Sequence, residues 1–542
     1  MGRGAGNATP PHPTSPTVHQ PKPHPTMSAN LYSALRAAFP ADLDQVAIET
    51  AEDATLNYSW RDLDAGSAMM ANLLASLNLP AGSRVAVQTE KSVAALMLYL
   101  AVLRAGLVYL PLNTAYQSGE VEYFIGNAEP SVFICASRDF GWISKLAFRA
   151  GTAHVFTLDS DRSGSLLQRA AAHGTQHTPV ARKGADLAAI LYTSGTTGRS
   201  KGAMLTHANL LSNAVVLKEY WGWRTPEEGG DVLIHALPMF HVHGLFVASH
   251  AALLSGSRMI WFNKFDPKAV LARLPDATVF MGVPTLYTRL LAEPGLNPAA
   301  CRAMRLFISG SAPLLTDTFN AFAQRSGHTI LERYGMSETL MLTSNPYFAA
   351  AGERRGGTVG KPLPGVQLRV VEAGGAACAT DAIGGIEVRG PNVFQGYWRM
   401  PEKTREEFTA DGWFKTGDIG RIDALGYLSI VGRSKDLIIT GGFNVYPAEI
   451  EGVLNEQPGV LESAVIGVPH PDFGEAVVGV VTARPGSTPV PTELIAALKA
   501  TIANFKVPKQ IFVVTELPRN AMGKVQKNVL RDTHKGLFAA AP

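Results

Sequence analysis

Short apolar runs alternate with helical patterns along most of the chain, and this alternation is the feature that most restricts its fold. Apolar runs occupy Arg84–Gln88, Val132–Cys135, Val155–Thr157, Leu187–Tyr192 and Leu306–Ser309. Such alternation is typical of an α/β architecture with largely parallel sheets and helices packed on them. Two later runs with glycine turns, Gln367–Val371 and Gly385–Val388, indicate a smaller antiparallel subdomain before residue 430.

The length of the chain predicts more than one domain. It has 542 residues, and a single compact core seldom holds so many. Residues 1–26 carry Pro, His, Thr and Gly with almost no large apolar side chains, so we expect a disordered tail. We expect an N-terminal domain over 27–432, a hinge at 433–436, a small mobile α+β C-terminal domain over 437–535 and a final tail over 536–542. In the C-terminal domain the pattern predicts helices at Pro447–Leu454 and Thr492–Phe505 and strands at Val460–Val468 and Ala476–Thr482.

Composition argues against several classes of function. Lys plus Arg number 48 and Asp plus Glu 45, so the formal charge of +3 gives no strong basic field for a nucleic-acid partner. The three cysteines are widely separated, which disfavours a disulfide framework or a cysteine zinc site and favours a reducing compartment. We therefore expect the protein to lie in the cytoplasm, or in the mitochondrial matrix in a eukaryote.

The longest apolar stretch, 92–112, is interrupted by Arg104 and Gly106, so we expect a buried helix ending near Arg104 and no membrane span.

The sharpest local signal is a loop rich in glycine and hydroxyl groups. Residues 192–202 read YTSGTTGRSKG, after a buried apolar run and before a helical pattern from His207. Glycines let the backbone N–H groups approach an anion, and hydroxyls and an ammonium add donors for phosphate oxygens. The candidate phosphate-binding residues are Thr193, Ser194, Gly195, Thr196, Thr197, Gly198 and Lys201. The spacing departs from the Walker A pattern, which argues against a P-loop NTPase or kinase.

Five further motifs follow this loop. They are SGSAPL at 309–314, YGMSET at 334–339, TGD at 416–418, the stretch from GR at 432–433 through GGFNVYP at 441–447, and PRNAMGKV at 518–525. In this order the motifs resemble the adenylate-forming superfamily of acyl-CoA synthetases, peptide-synthetase adenylation domains and luciferases. The resemblance covers about residues 30–535 and implies ATP, Mg²⁺ and CoA as the cofactor and co-substrates of an AMP-forming acid–thiol ligase.

The resemblance also implies roles for single residues. Glu338 is expected to bind magnesium because a hard cation prefers carboxylate oxygen, and Thr339 to contact the phosphates. Lys201 and Lys524 are expected to stabilise charge in the transition state, with Lys524 reaching the α-phosphate and the carboxylate when the small domain closes. Without the resemblance, Glu338 and Lys524 would be read as ordinary surface charges.

The nucleotide site is expected to form around an aromatic platform. Tyr334 would stack on adenine, with Gly310, Ser311 and Ala312 lining the base. Asp418 would accept hydrogen bonds from the ribose hydroxyls, and Arg433 would help to hold the ribose. The plain alternatives are a core tyrosine for Tyr334 and a structural ion pair for Asp418 and Arg433.

The path of the thiol is also predicted by resemblance alone. Lys435 matches the hinge position, and Gly441 with Gly442 would line the path of CoA after the small domain rotates. His241, in the run PMFHVHG at 238–244, would form the wall between the acyl pocket and this path, unless it is only a packed histidine. A zinc site at these histidines is disfavoured because no cysteine or carboxylate cluster accompanies them.

The residues that select the acid are less clearly marked in the sequence than those of the nucleotide site. A dicarboxylate needs a cation for its second carboxylate, since a lone buried charge is costly. Arg289 is the candidate, with Ser309 also placed near the acid. Helical phase leaves the choice open, since Arg289 lies off the apolar face formed by Leu286, Tyr287, Leu290 and Leu291, as a solvated arginine would.

Resemblance favours malonate. The stretches 241–247, 262–266, 280–291, 343–347 and 352–355 are similar to the malonate–CoA ligase family more than to coumarate or fatty-acid ligases. Leu340-Met341 departs from the glycine or asparagine more usual in relatives and leaves methylmalonate open. Alternatives are a ligase for another small, fatty or aromatic acid, and a binding-only relative, which the intact Glu338, Lys201 and Lys524 oppose. A peptide-synthetase module is disfavoured because no carrier domain fits after residue 535. The sequence predicts no oligomeric state.

Overall fold

A computed structural model describes residues 30–53, 55–193, 200–441, 443–520 and 523–538, and the account below concerns these residues. The strands are β1 Val46–Thr50, β2 Asn57–Ser59, β3 Arg84–Gln88, β4 Val108–Pro111, β5 Val132–Cys135, β6 His154–Thr157, β7 Leu187–Thr193, β8 Lys201–Thr206, β9 Val232–His235, β10 Arg258–Trp261, β11 Val279–Gly282, β12 Leu306–Ser309, β13 Leu331–Met336, β14 Leu340–Ser344, β15 Lys361–Pro362, β16 Gln367–Val371, β17 Gly384–Arg389, β18 Phe414–Ile422, β19 Leu428–Arg433, β20 Ile438–Thr440, β21 Phe443–Val445, β22 Val460–His470, β23 Gly474–Ala483 and β24 Gln510–Val514. The α-helices are α1 Leu31–Ala37, α2 Trp60–Ser76, α3 Val93–Arg104, α4 Ser118–Ala128, α5 Phe140–Arg149, α6 Ser165–Ala170, α7 His207–Tyr220, α8 Ser249–Leu254, α9 Pro267–Arg273, α10 Pro284–Ala292, α11 Thr316–Ser326, α12 Pro401–Glu407, α13 Pro447–Asn455, α14 Pro491–Thr501 and α15 Lys527–His534.

Two sheets with mostly parallel strands form the body of the molecule. One has nine strands in the order β15-β14-β13-β12-β11-β9-β10-β1-β2, and the other six in the order β6-β5-β3-β4-β7-β8. The pairs β9–β10, β11–β12, β12–β13, β3–β4 and β3–β5 are parallel, whereas β7–β8 and β13–β14 are antiparallel. The predicted α/β class is confirmed.

The remaining strands form two smaller sheets. The sheet β16-β17-β18-β19 is antiparallel throughout, as expected for the stretch before residue 430. The last hundred residues form a five-stranded sheet in which β22 and β23 pair over nearly their whole length. Ile438, Ile450, Val465 and Leu498 belong to an apolar core separate from that of the body.

Helix α3 shows why the long apolar stretch is interior rather than membrane-spanning. The Ser92 side chain accepts a hydrogen bond from the Ala95 N–H at 3.1 Å and begins the helix, and every residue from Val93 to Arg104 is buried. Arg104 is paired with Asp64 at 2.8 Å, and Gly106 reverses the chain at φ +66°. Within the described ranges no helix is long and apolar enough to cross a membrane.

One C-terminal element is shorter than predicted. The sequence predicts a helix over Thr492–Phe505, but α14 ends at Thr501, because the next residue, Ile502, is extended at φ −126° and ψ 161°. The released chain lets Phe505 stack on Phe443 of β21, with ring centroids 4.6 Å apart. A tertiary contact therefore overrides helix propensity here.

Candidate active site

Three polar side chains meet where β13 faces the antiparallel sheet. The hydroxyl of Tyr334 donates a hydrogen bond to the carboxylate of Asp418, and Arg433 Nε lies 3.1 Å from the other oxygen of that carboxylate. Asp418 and Arg433 are register partners on β18 and β19, so strand pairing itself sets their position. Burial, and the Asp418 carboxylate next to it, raise the pKa of Tyr334 far above its usual value, so Tyr334 stays a neutral donor.

The loop after β12 lies beside this group. Ser311 occupies the left-handed region at φ +72°, which an L-residue adopts only when its surroundings hold it there. The buried Glu332 carboxyl accepts the Leu314 N–H at 3.0 Å and ties the loop to β13. Burial raises the pKa of Glu332 to about 8. Gly310, Ser311 and Ala312 thus belong to a loop that is tied to β13, the strand that carries Tyr334, and their contact with adenine stays a prediction.

A second group surrounds Glu338, which is nearly buried. Its Oε1 accepts a hydrogen bond from the Tyr397 hydroxyl at 3.0 Å, and burial raises the pKa of the Glu338 carboxyl. Lys201 Nζ lies 4.3 Å from the centroid of the Tyr397 ring and 3.4 Å from Glu407 Oε1. One tyrosine thus contacts both the candidate metal ligand and the lysine of the glycine-rich loop.

The base of the glycine-rich loop is a β-hairpin. Thr193 and Lys201 are directly opposite each other on β7 and β8, so the chain leaves and returns at one point. The backbone N–H of Trp398 donates a hydrogen bond to the Gly202 carbonyl at 2.8 Å and thereby links the hairpin to the turn that carries Tyr397. The predicted phosphate-binding residues Ser194, Gly195, Thr196, Thr197 and Gly198 lie outside the described residues. Thr339 is fully buried, with its carbonyl accepting from Asn392 Nδ2 at 2.6 Å.

The structure brings Lys524 to the Asp418–Arg433 pair across the whole length of the chain. Burial, followed by the charge of the nearby Arg433, lowers the pKa of Lys524 to about 8, while Asp418 opposes this shift. The preceding residue touches the body of the molecule, since a Cβ added to Gly523 would lie 3.2 Å from Thr285 Oγ1. The small C-terminal sheet therefore lies against the body of the molecule beside the Tyr334–Asp418–Arg433 group.

An arginine that sequence reasoning missed lies on the opposite face of β13. Alternate residues of a strand face opposite ways, so Arg333 points away from the side of Tyr334. Arg333 is 3% exposed, and within the described residues its Nε and Nη2 atoms have no hydrogen-bond partner. Burial lowers the pKa of its guanidinium to about 9. Such a group is rare, because an unpartnered buried charge is strongly unfavourable.

Two other buried polar atoms are also without a partner in the described ranges. They are Ser309 Oγ at the end of β12 and Nε2 of His243, whose Nδ1 is 3.4 Å from Ser311 Oγ. Burial holds the pKa of His243 well below its usual value, and the Arg333 charge lowers it further. His241, two residues earlier, has a pKa lowered to about 4 by burial, and its Nε2 is also without a partner. Both imidazoles are neutral at physiological pH.

Arg289 is not part of this arrangement. It lies on α10 with its side chain exposed, while Leu286, Tyr287 and Leu290 of the same helix are buried. In the ligand-free structure Arg289 therefore has the exposure of a solvated arginine, and its role as the partner of the second carboxylate stays a prediction. Lys435 and Gly441 also lie in solvent, with Gly441 at φ +56° in the turn of a β-hairpin. Gly442 lies outside the described residues.

The sequence carries one signal for Arg333. Glu332 and Arg333 directly follow the apolar pair Ile330-Leu331 and precede the predicted adenine platform, and two adjacent charges next to an apolar run are unusual. Tyr397 carried no comparable signal, because its role depends on a contact with Glu338 that is remote in sequence. No group of three or more metal-ligating side chains occurs among the residues that the structure describes.

Two family models match the chain. The model described as AMP-binding enzyme matches residues 36–398, and the model described as AMP-binding enzyme C-terminal domain matches residues 449–524. The matched ranges contain Lys201, Arg333 and Glu338 in the first and Lys524 in the second.

Known proteins of similar sequence and structure include ligases. A malonate–CoA ligase of Arabidopsis thaliana is 35% identical over 484 residues, covering 83% of this chain and 78% of the relative. The ATP-bound crystal structure of MatB from Rhodopseudomonas palustris is 53% identical, covers 94% of this chain and 100% of its own, and superposes with a TM-score of 0.91. The apo structure of the same protein, at the same identity and coverage, gives 0.79. The arrangement described above is thus closer to the ATP-bound form.

Proposed function

Because the chain belongs to the AMP-binding enzyme family, we propose that it is an ATP-dependent malonate–CoA ligase. In the first half-reaction a malonate oxygen attacks the α-phosphorus of ATP and diphosphate leaves, which gives malonyl-adenylate. In the second the CoA sulfur attacks the acyl carbon, the bond from that carbon to the AMP oxygen breaks, and malonyl-CoA and AMP are released. The thiol proton passes to solvent or to the departing phosphate.

The unpartnered guanidinium of Arg333 is the observation that carries the choice of acid. A cation that costs the empty protein stability is expected to have an anionic ligand. A monocarboxylate uses its only carboxylate in the reaction, whereas malonate keeps a second one for Arg333. The fork of arginine suits a carboxylate because two N–H groups donate in parallel, and Nε and Nη2 form such a pair of donors.

His243 adds a polar group near Arg333 without adding charge, since burial and then the arginine charge lower the pKa of this imidazole. His243 Nε2, and Ser309 Oγ at the end of β12, are also buried without partners in the described part of the chain. If Ser311 Oγ donates to His243 Nδ1, the neutral imidazole presents Nε2–H as a further donor. His241 is the candidate residue for the wall between the acyl pocket and the path of the CoA thiol. The pocket therefore offers donors to a carboxylate, and a fatty chain would leave them unsatisfied.

The nucleotide is expected to bind on the other face of β13. Tyr334 and the loop with Gly310, Ser311 and Ala312 would hold adenine, and the oxygens of Asp418 would accept hydrogen bonds from the ribose. Arg433 both neutralises and orients that carboxylate. Thr193, Lys201, Thr339 and the loop 194–198 would donate to the phosphates, whose charge would otherwise repel the incoming carboxylate.

The residues present fit a magnesium ion. Mg²⁺ keeps several waters and is usually held by one or two carboxylates together with substrate phosphates, and Glu338 supplies one largely buried carboxylate here. Bound there, the ion would neutralise phosphate charge. Tyr397 would keep Glu338 oriented, and Lys201 would exchange its contact with Glu407 for a phosphate oxygen.

The small domain is proposed to alternate between the two half-reactions. We place the hinge at 433–436 around Lys435, between an N-terminal domain over 27–432 and a C-terminal domain over 437–535. In the closed arrangement Lys524 is at the nucleotide group, where its charge would stabilise the departing oxygens. After rotation, Gly441 and Gly442 would line the path of the CoA arm. The compartment, cytoplasm or mitochondrial matrix, stays a prediction.

Isotope exchange tests the first half-reaction directly. With labelled diphosphate, Mg²⁺ and ATP but no CoA, malonate should drive label into ATP, because adenylate formation is reversible. Propionate has the same number of carbons and lacks the second carboxylate, so it should drive exchange far more slowly. Exchange that is equal for the two acids would contradict the role of Arg333, and exchange with neither would contradict adenylate formation.

A further inference from the structure

Gly310 belongs to the loop that we propose to hold adenine, and it also packs against Arg333. A Cβ built on Gly310 would lie 2.5 Å from Arg333 Cζ, 2.6 Å from Nη1 and 2.7 Å from Nε. Three atoms of the guanidinium therefore pack against one Cα. Real Cβ atoms essentially never approach another heavy atom closer than 3.0 Å, so any side chain here would displace the arginine.

The backbone does not itself require glycine at this position. Gly310 is not among the glycines with positive φ, unlike its neighbour Ser311, which is not a glycine and is at φ +72°. Alanine is compatible with ordinary negative φ, so conformational freedom does not explain the residue. Space does, because the nearest atoms are those of one side chain.

We propose that Gly310 is a specificity-determining residue, whose missing side chain forms the seat that holds the Arg333 guanidinium in position for the second carboxylate of the acid. This inference rests on the proposed function and assigns it one more residue. Strand pairing fixes the seat: Ser309 on β12 is paired with Glu332 on β13, so Gly310 and Arg333 follow side by side. The guanidinium is thereby held in place, although the described residues show no ion pair to it; the neighbouring Glu332 carboxyl interacts with its charge without pairing.

The structure predicts how far the arginine would move. Ordinary van der Waals contact begins near 3.4 Å, so alanine at 310 must push Cζ away by about 1 Å. The guanidinium is the far end of a flexible side chain, so it can shift where backbone could not. A displacement of about 1 Å at a binding group can cost up to roughly 100-fold in rate.

The test is Gly310→Ala with a double-mutant cycle. kcat/KM is measured for malonate, for propionate and for ATP in the wild type, Gly310→Ala, Arg333→Met and the double variant. We expect Gly310→Ala to lower kcat/KM for malonate by about 10- to 100-fold more than it lowers kcat/KM for propionate, because any effect on the nucleotide loop is common to both acids. In the Arg333→Met background the same change should lower the two values equally, because the displaced group is already gone.

Different failures have different meanings. Wild type that makes no malonyl-CoA refutes the proposed function itself. Wild type that uses malonate, with Gly310→Ala unchanged, refutes only the seat. Equal losses for both acids that persist in the Arg333→Met background place Gly310 in the nucleotide loop alone and also refute it. If Gly310→Ala folds poorly, the double variant should regain thermal stability since the clash is removed, and no regain would overturn the inference.

Discussion

Replacing Arg333 by methionine should separate function from stability. Methionine keeps the length of the side chain and removes its charge. Breaking a buried charge pair by removal of one partner costs about 3–5 kcal/mol, and about 1.4 kcal/mol is tenfold. We therefore expect kcat/KM for malonate to fall by about 100-fold to several thousand-fold, while the KM for ATP, which we propose to bind on the other face of β13, changes little.

The stability of the ligand-free protein should stay the same or increase in Arg333→Met, although its activity falls. Burial lowers the pKa of Arg333 from 12.5 to about 9, which corresponds to a cost on the order of 5 kcal/mol for keeping the charge in the empty site. This figure is an upper bound, because the side chain can relax. Apolar replacement of buried charges is often neutral or stabilising by about 1–4 kcal/mol. Arg333→Met should therefore keep or raise the Tm of the ligand-free enzyme.

The assay compares this variant with Arg289→Met, a matched loss of one exposed arginine. Initial rates of malonyl-CoA formation over a range of malonate concentrations give kcat/KM, and differential scanning fluorimetry gives Tm with and without malonate. Arg289→Met should behave as wild type in both. If Arg289→Met lost malonate use while Arg333→Met retained it, or if Arg333→Met lost Tm and the KM for ATP rose in parallel, the reasoning from the unpartnered guanidinium would be wrong.

Three further changes probe the rest of the site. Lys524→Ala should slow adenylate formation by about 10²- to 10³-fold but change thiolysis of supplied malonyl-adenylate by less than about threefold, as measured in separate half-reactions; equal losses would argue against domain alternation. Since burial lowers the pKa of Lys524 to about 8, its charge is present below that pH and lost above it. The kcat/KM of adenylation should then fall about tenfold per pH unit above pH 8. Lys524→Arg should remove this alkaline decrease, because arginine keeps its charge. If the decrease were the same in Lys524→Arg, it would come from the titration of another group. Glu338→Gln should raise the Mg²⁺ concentration for half-maximal ATP binding by about tenfold or more, as followed by calorimetry, and an unchanged requirement would remove Glu338 as the ligand.

Much of the fold could be predicted because its strands are continuous apolar runs. The runs Arg84–Gln88, Val132–Cys135 and Leu306–Ser309 coincide with β3, β5 and β12. Strands buried on both faces leave this pattern in the sequence without any knowledge of their neighbours. The end of α14 was not predictable in this way, because it depends on the packing of Phe505 against Phe443.

The nucleotide side of the site was more accessible to sequence reasoning than the acid side. Tyr334, Asp418 and Arg433 belong to motifs whose chemistry can be recognised, and the structure places them in contact. Arg333 becomes a candidate only when its partners are known, because the absence of a partner is a tertiary property. Arg289 illustrates the same limit, because helical phase alone does not distinguish a solvated arginine from one that faces the acid.

The most direct measurement is CoA-dependent AMP release by the wild-type enzyme with Mg²⁺ and ATP. The acids would be malonate, methylmalonate, succinate, acetate, butyrate, octanoate and coumarate. A strong preference for malonate, with methylmalonate as the only other acid used well, is the predicted result. Preference for a monocarboxylate would contradict the account, because the buried guanidinium of Arg333 would then have no anionic ligand to bind.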